Sequence, residues 1–338
     1  MGDSNMNFLK AGSFKTYLDY ISNKTQCRPQ PLKLWIEVTS RCNLSCRLCA
    51  NRLLEPGQKG DMDISLYKKI VDQLDGPMMQ LNLFHRGEPL LHPRIADMIS
   101  YASQKKISTC IHTNAVLLAP ETAEIIIKSG LDKIYFSLDT FDKTDYEKNR
   151  HGTDFNLVLK NIKNFIKTKN TLGSKTPSTL ILLMDPGKSY PEPLQGNSGN
   201  NCKKHVIQNH RAGQKLQIGR FLKEFGDHKP DRIITRASHN WGGNIHRDFK
   251  KGKTAIKCTF PWYSATVFYD GRVCLCPQDF MGKLETGNLN SGTLREIFNG
   301  DIIKSYREKF VKKDIKNLFP CAVCDRIYRK TFAGIPLP

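Results

Sequence analysis

From Leu32 onward the chain alternates short apolar runs with amphipathic ones. The apolar runs are "LKLWIEV" ending at Val38, "MQLNLF" (79–84), "ISTCIH" (107–112), "KIYFSL" (133–138), "TLILLM" (179–184) and "RIITR" (232–236). Each is short and apolar on successive residues, as a strand buried on both faces is. Between them lie "DISLYKKIVDQL" from Asp63, "PRIADMISYASQ" from Pro93, "PETAEIIIKSG" from Pro120, "NLVLKNIKNFIKT" from Asn156 and "QKLQIGRFLKEFG" from Gln214. These carry apolar residues at helical spacing. Pro120 opens one and Gly130 follows its end, which is ordinary helix punctuation. Strands of this kind separated by helices pair in parallel through right-handed crossovers. Six such units predict an α/β fold, either an open sheet or a partial barrel.

The rhythm breaks twice. Residues 185–213 are rich in Pro, Gly and Asn and lack a period, so they read as a long loop without structure of its own. After "SHNWGGN" (238–244) the alternation stops, and a cysteine-bearing tail runs from Cys258 to Cys324. The expected organisation is an extension over 1–30, an α/β core over 31–245 and a smaller domain over 246–338.

Composition fits a soluble globular chain: 338 residues, 39% hydrophobic and 25% charged. The start lacks an apolar export segment, and no run is long enough to span a membrane. The expected location is therefore the cytoplasm, a reducing compartment, where patterned cysteines are more often metal ligands or catalytic groups than disulfides; the chain has eleven cysteines. The net charge of +20 admits nucleic acid, a membrane surface or an acidic substrate as partner. The basic residues are spread out; residues 301–338 hold nine Lys and Arg against four Asp and Glu. No Arg-rich run interleaved with aromatics occurs, so nucleic acid is disfavoured.

The densest chemistry is "TSRCNLSCRLCANR" (39–52), where Cys42, Cys46 and Cys49 are spaced C-x3-C-x2-C directly after the first strand. Sites of α/β sheets and barrels sit at that end of the strands. Three thiols are one short of a closed zinc or cluster ligand set. Either a distant fourth ligand completes the set or one position stays open for chemistry. Packing of three cysteines as small core residues is the plain alternative, and Arg41, Asn43, Ser45 and Arg47 make the segment too polar for it.

The spacing resembles that of the radical S-adenosylmethionine (radical SAM) enzymes. The resemblance implies that Cys42, Cys46 and Cys49 hold three irons of a four-iron, four-sulfur cluster, leaving the fourth for the amino and carboxylate groups of S-adenosylmethionine. It implies a partial (β/α)6 barrel as the fold. Leu48 stands where many members carry an aromatic residue. "HRGEPLLHP" is similar to the family's Gly-Gly-Glu-Pro motif, with Arg86 replacing the first Gly, and makes Gly87 and Glu88 candidates for the methionine ammonium. "HTNAVLL" resembles the Thr-Asn-Gly segment, with Ala115 for Gly, and nominates Asn114. "SLDT" offers Ser137 for the ribose with Asp139 nearby, and "EKNRHGTDF" offers Arg150 for the cofactor carboxylate. Taken singly, a Ser or Asn at a strand end is more often a cap; their order at successive strand ends is what counts.

The tail reads "CTFPWYSATVFYDGRVCLCPQDF" and then "FPCAVCDR". It resembles the SPASM or twitch extension of the same enzymes. The resemblance implies one auxiliary four-iron cluster on Cys258, Cys276, Cys321 and Cys324, with Cys274 spare. The "DG" turn between strand-like runs reads as a hairpin that brings Cys258 and Cys276 together. A zinc ribbon with four thiolates is the rival reading. Cys27, Cys110 and Cys202 are expected to carry no metal. The family further implies reductive cleavage of S-adenosylmethionine to a 5′-deoxyadenosyl radical, hydrogen abstraction, and a flavodoxin- or ferredoxin-type electron donor. A peptide or protein side chain is the favoured substrate, since a basic surface suits an acidic leader. A small polar metabolite such as a sugar or aminocyclitol is the alternative, and a non-catalytic nucleic-acid-binding metal ribbon a second.

Overall fold

The computed structural model describes residues 11–27, 30–74, 80–185, 206–208, 218–219, 221–237, 239–245, 256–328, 331–332 and 335–336. Its main strands are β1 (Lys33–Ile36), β3 (Gln80–Asn82), β4 (Thr109–Thr113), β5 (Lys133–Asp139), β7 (Ser178–Asp185), β8 (Val206–Gln208), β9 (Arg232–Ala237), β10 (Ser264–Val267), β11 (Arg272–Cys274) and β12 (Glu285–Asn288). Two short strands, β2 (Ser45–Cys46) and β6 (Arg150–His151), pair with each other outside that sheet.

The ten main strands form one sheet in the order β12-β11-β10-β1-β3-β4-β5-β7-β9-β8. From β1 to β9 the pairing is parallel and the six expected strands are neighbours in chain order. Sequential parallel neighbours are the wiring of a barrel that has not closed. All six strands fall on the apolar runs read from the sequence. β8 adds a seventh parallel strand beyond β9. It lies inside the segment read as a structureless loop; Asp185 ends β7, and residues 186–205, with Cys202, and 209–213 lie outside the described ones.

Side-chain alternation divides the sheet's two faces. Leu34, Ile36, Leu81, Leu83, Ile111, Ile134, Phe136, Ile181 and Ile233 are buried in one continuous core. Helices Ile64–Asp72, Ile95–Gln104, Pro120–Lys128 and Phe155–Thr171 each contribute one apolar stripe to that core. Asp63 and Asp154 start two of them by accepting hydrogen bonds from the amides of Ser65 (2.7 Å) and Leu157 (2.8 Å). The other face of β5 is only half-buried, in strict alternation.

The tail continues the sheet. β10 pairs parallel with β1, and β10 and β11 form the antiparallel hairpin expected at Asp270-Gly271. Helices Leu294–Phe298 and Asp301–Val311 follow. At the chain's start, helix Ala11–Ile21 packs Tyr20 edge-on against Trp262 at 5.4 Å, tying the extension to the tail.

Candidate functional site

The loop after β1 carries Cys42, Cys46 and Cys49, all half-buried. Burial first, then the neighbouring thiols, pushes Cys49 up to about 12; burial likewise lifts Cys42 to about 11. Cys49 is thus close enough to feel both Cys46 and Cys42. The loop is held from two sides. Cys46 pairs with Arg150 through β2 and β6, and the Arg47 amide donates to the Asn149 carbonyl at 2.8 Å. On the other side, Asn51 Nδ2 donates to the carbonyls of Ser40 and Arg86, both at 2.8 Å, while its amide points at Cys49 Sγ at 3.5 Å.

The 84–88 loop nests directly against it. The Glu88 amide donates to the Arg41 carbonyl at 2.9 Å. A Cβ on Gly87 would overlap the backbone carbonyls of Thr39 and Arg41, so only glycine allows this approach. Gly87 therefore works here as a spacer between two loops. Glu88 is 3% exposed, and its carboxylate accepts from the Thr113 hydroxyl and the Asn114 amide, each at 2.7 Å, and from the Leu90 amide at 3.2 Å. Burial raises its carboxyl to about 7 against those hydrogen bonds and the more distant Arg150. A buried carboxylate so raised is one that a cation would stabilise.

Asn114 Nδ2 donates to Asn43 Oδ1 at 2.8 Å, so the third strand end is tied to the cysteine loop. Ala115 holds a left-handed backbone, φ 62°, where the resemblance expects Gly. The turn is braced from below by buried Asn161, whose Nδ2 reaches the carbonyls of Ala115 (2.9 Å) and Val116 (3.1 Å).

Ser137 is half-buried near the end of β5, opposite Leu182. The ladder shifts register between Ser137 and Asp139, and Asp139 adopts φ 64°. Such a bulge re-aims a side chain, and Asp is among the residues that tolerate this backbone. The re-aimed carboxylate binds Arg150 in a two-pronged pair, Nε to Oδ2 at 2.8 Å and Nη2 to Oδ1 at 3.0 Å. Arg150 acts on the thiols of Cys42 and Cys46 and on Glu88. Cysteine loop, Glu88, Asn114 and the Asp139–Arg150 pair thus share one place at the C-terminal ends of β1 to β5.

In the tail, Cys258, Cys276, Cys321 and Cys324 are each 7% exposed. Burial first, then Cys321, Cys258 and Cys324, drives the Cys276 thiol well above its ordinary range, so the four lie together. Cys274 sits apart, among Asp279, Arg272 and Glu285. Among the described residues no three His, Cys, Asp or Glu side chains converge on a single-ion site. Ligands of a four-iron cluster bind separate irons and need not meet at one point. Seven thiols in two groups, three half-buried and four buried, fit one open and one closed cluster. Cys110 is a core residue of β4, and burial raises Cys27 to about 11 against the charge of Arg307.

Residues given no functional role by the sequence join the two cysteine groups. Glu37, fully buried after β1, takes Arg86 Nη2 at 2.7 Å and Arg86 Nε in a short pair. Arg86 also stacks on Phe268 of the hairpin at 4.0 Å. His85 Nε2 donates to the Pro277 carbonyl, next to Cys276, at 2.9 Å, and its Nδ1 lies 3.5 Å from Glu37. On a second route, Trp241 Nε1 donates to the Leu48 carbonyl at 3.3 Å and the ring packs edge-on against Phe280 at 5.1 Å. Asn240 Nδ2 donates to the Val323 carbonyl at 2.7 Å, beside Cys324. Gly242, at φ 60°, lies where a Cβ would press on Pro320 at 2.7 Å. The signals were present in the sequence: a lone carboxylate inside the apolar run "LKLWIEV" and a Trp in "SHNWGGN".

Comparison with known proteins fits this geometry. The radical SAM superfamily pattern matches residues 36–192, and an iron–sulfur cluster-binding domain pattern of the SPASM type matches 258–325. A tungsten-containing aldehyde ferredoxin oxidoreductase cofactor-modifying protein of Pyrococcus furiosus is 30% identical over 310 residues, 86% of this chain and 86% of that one. The chain belongs to the radical SAM superfamily. It is an enzyme of that superfamily with a SPASM tail, and its cofactors are four-iron, four-sulfur clusters and S-adenosylmethionine. Two solved structures share the fold. SuiB of Streptococcus suis bound to precursor peptide SuiA aligns with TM-score 0.62 at 16% identity, over 87% of this radical SAM chain and 70% of SuiB. BtrN in complex with AdoMet and 2-DOIA aligns with TM-score 0.55 at 16% identity, over 90% of this chain and 98% of that one. No helix among the described residues is long and apolar enough to cross a membrane.

Proposed function

We propose that this radical SAM enzyme modifies a peptide or protein side chain in the cytoplasm, as a maturase does, by abstracting a hydrogen atom. When bound, the clusters supply one-electron chemistry, one for reductive cleavage of S-adenosylmethionine and the other as acceptor of an electron from the oxidised substrate. The observation that carries the reading is Glu88: a buried carboxylate, raised to about 7 by burial, set against the three-cysteine loop. It would accept a charge-assisted hydrogen bond from the methionine ammonium. Cys42, Cys46 and Cys49 hold the open cluster. Asn114 fixes the cysteine loop through Asn43. Ser137 would hold the ribose, and Arg150, kept oriented by Asp139, would hold the methionine carboxylate. Gly87 lets the two loops close on each other.

Cys258, Cys276, Cys321 and Cys324 hold the auxiliary cluster, with Cys274 outside it. The core over 31–245 then carries radical generation and the tail over 246–338 the electron acceptor. A flavodoxin- or ferredoxin-type protein supplies the reducing electron. SuiB bound to its precursor peptide supports the peptide reading. BtrN bound to 2-DOIA supports the second, a small polar metabolite. The test is the double variant Cys321→Ala/Cys324→Ala, with circular dichroism showing an intact fold. It should lose about four irons and all substrate product yet still cleave S-adenosylmethionine. A folded variant that turns substrate over at the normal rate contradicts the electron-acceptor role.

A further inference from the structure

The half-buried face of the barrel holds a second set of side chains that the radical chemistry does not use. Three planar groups stack across β3, β4 and β5. Phe84 and His112 lie face to face at 3.8 Å and 16°, and His112 and Tyr135 follow at 4.4 Å and 31°. The Arg236 guanidinium lies over the Tyr135 ring at 5.6 Å. Burial first, and then Arg236, holds His112 well below its ordinary range, so it is a neutral ring in this stack. Beside the ladder stand three cations: Lys33 feels Arg236 and Lys133, and Cys110 feels all three. None of the three pairs with a carboxylate among the described residues. Glu37, on the same face of β1 as Lys33, is engaged by Arg86, and Asp139, at the end of β5, by Arg150.

Three like charges facing one another repel, and Lys33 and Lys133, both half-buried, have lost part of their hydration, while Arg236 is exposed. Such a group is stabilised when an anion arrives. Ser137 lies four residues beyond Lys133 along β5, toward the cysteine loop, so Lys33 and Lys133 sit deeper in the barrel than the radical site, while Arg236, at the C-terminal end of β9, reaches back over Tyr135. We propose that Lys33, Lys133 and Arg236 form a binding site for an anionic group of the substrate, a carboxylate or a phosphate, with its planar portion on the Phe84–His112–Tyr135 ladder. The site rests on the radical SAM reading only for its position beneath the reacting atoms. It sets the substrate class as an acid with a flat, unsaturated body, whether free or carried on a peptide.

The experiment titrates the cluster-loaded protein with 1-naphthoate and with its neutral counterpart 1-naphthamide, read by calorimetry. Wild type should prefer the naphthoate by about tenfold or more, the worth of one charge-assisted contact. The preference should shrink with added salt and vanish in Lys33→Met/Arg236→Met. Lys133→Met serves as a second variant should the double one fail to fold, as judged by circular dichroism and iron content. A parallel arm compares the blocked dipeptides acetyl-Glu-Phe-amide and acetyl-Gln-Phe-amide; a preference there as well identifies a peptide-borne acid, and a preference confined to naphthoate a free one. Equal binding of naphthoate and naphthamide to wild type, absence of naphthoate binding at millimolar concentration, or a preference that survives in folded variants overturns the proposal. Cleavage of S-adenosylmethionine by wild type is measured separately, so loss of the radical reading and loss of the anion site are told apart.

Discussion

Arg86→Met tests how the two cysteine groups are held together. Glu37 is 0% exposed in its side chain and Arg86 2%, so the variant leaves a carboxylate in the interior without its two-pronged partner. Breaking a buried pair by removing one member costs about 3–5 kcal/mol, because the remaining charge is uncompensated. His85, at 3.5 Å from Glu37, offsets part of that and puts the expectation at the lower end, about 3 kcal/mol. In the wild type burial pushes Glu37 up, but the hydrogen bonds from Arg86, with His85 nearby, outweigh it and hold the carboxyl below its ordinary 4.5. Its stabilisation is therefore present above that value and lost in acid, as pH falls through the depressed folded value. In Arg86→Met the sign reverses: the unpaired carboxyl rises, and its penalty is felt above 4.5 and relieved as pH falls. Urea unfolding at several pH values measures both effects. The double variant Glu37→Leu/Arg86→Met should recover at least half of the loss, since no charge is left stranded. A single-variant cost under about 1 kcal/mol, or strictly additive costs, would refute the argument that this pair is a buried, coupled unit.

Two further outcomes follow from the same site. Glu88 must be ionised to accept an ammonium, and its carboxyl sits at about 7, so affinity of the cluster-loaded protein for S-adenosylmethionine should weaken below neutral pH, by up to about tenfold per unit. Glu88→Gln should bind more weakly at pH 8 and lose this dependence; equilibrium dialysis across the range decides. Gly87→Ala should cost about 1–3 kcal/mol in unfolding and sharply reduce cofactor cleavage, since the added methyl meets two backbone carbonyls that have no side chain to give way. An alanine variant of normal stability and activity would show that the two loops do not need to touch.

The six parallel strands were legible because each is a short apolar run set between amphipathic helical stretches, although the structure buries one face fully and leaves the other half-buried, as β1 and β5 show. The cysteine loop was legible because three thiols at C-x3-C-x2-C have few other uses. Asp139 was visible only as a neighbour, because the bulge that turns it toward Arg150 is set by register with β7. The pairing of Arg86 with Glu37 spans 49 positions, and Trp241 meets Leu48 across 193. Neither has a periodic signal, because such contacts depend on how strands are ordered rather than on local spacing. β8 escaped for a related reason: three residues inside a Pro- and Gly-rich segment carry too short a pattern to stand out, and its pairing with β9 makes it a strand.

The most direct measurement is 5′-deoxyadenosine released from S-adenosylmethionine by anaerobically reconstituted protein under dithionite, compared with the Cys42→Ala/Cys46→Ala/Cys49→Ala variant. Wild type should carry about eight irons and release 5′-deoxyadenosine, while the variant should keep about four irons in the tail and release none. Release by the triple variant, or none by a wild type holding both clusters, would contradict the assignment of the open cluster to these three cysteines.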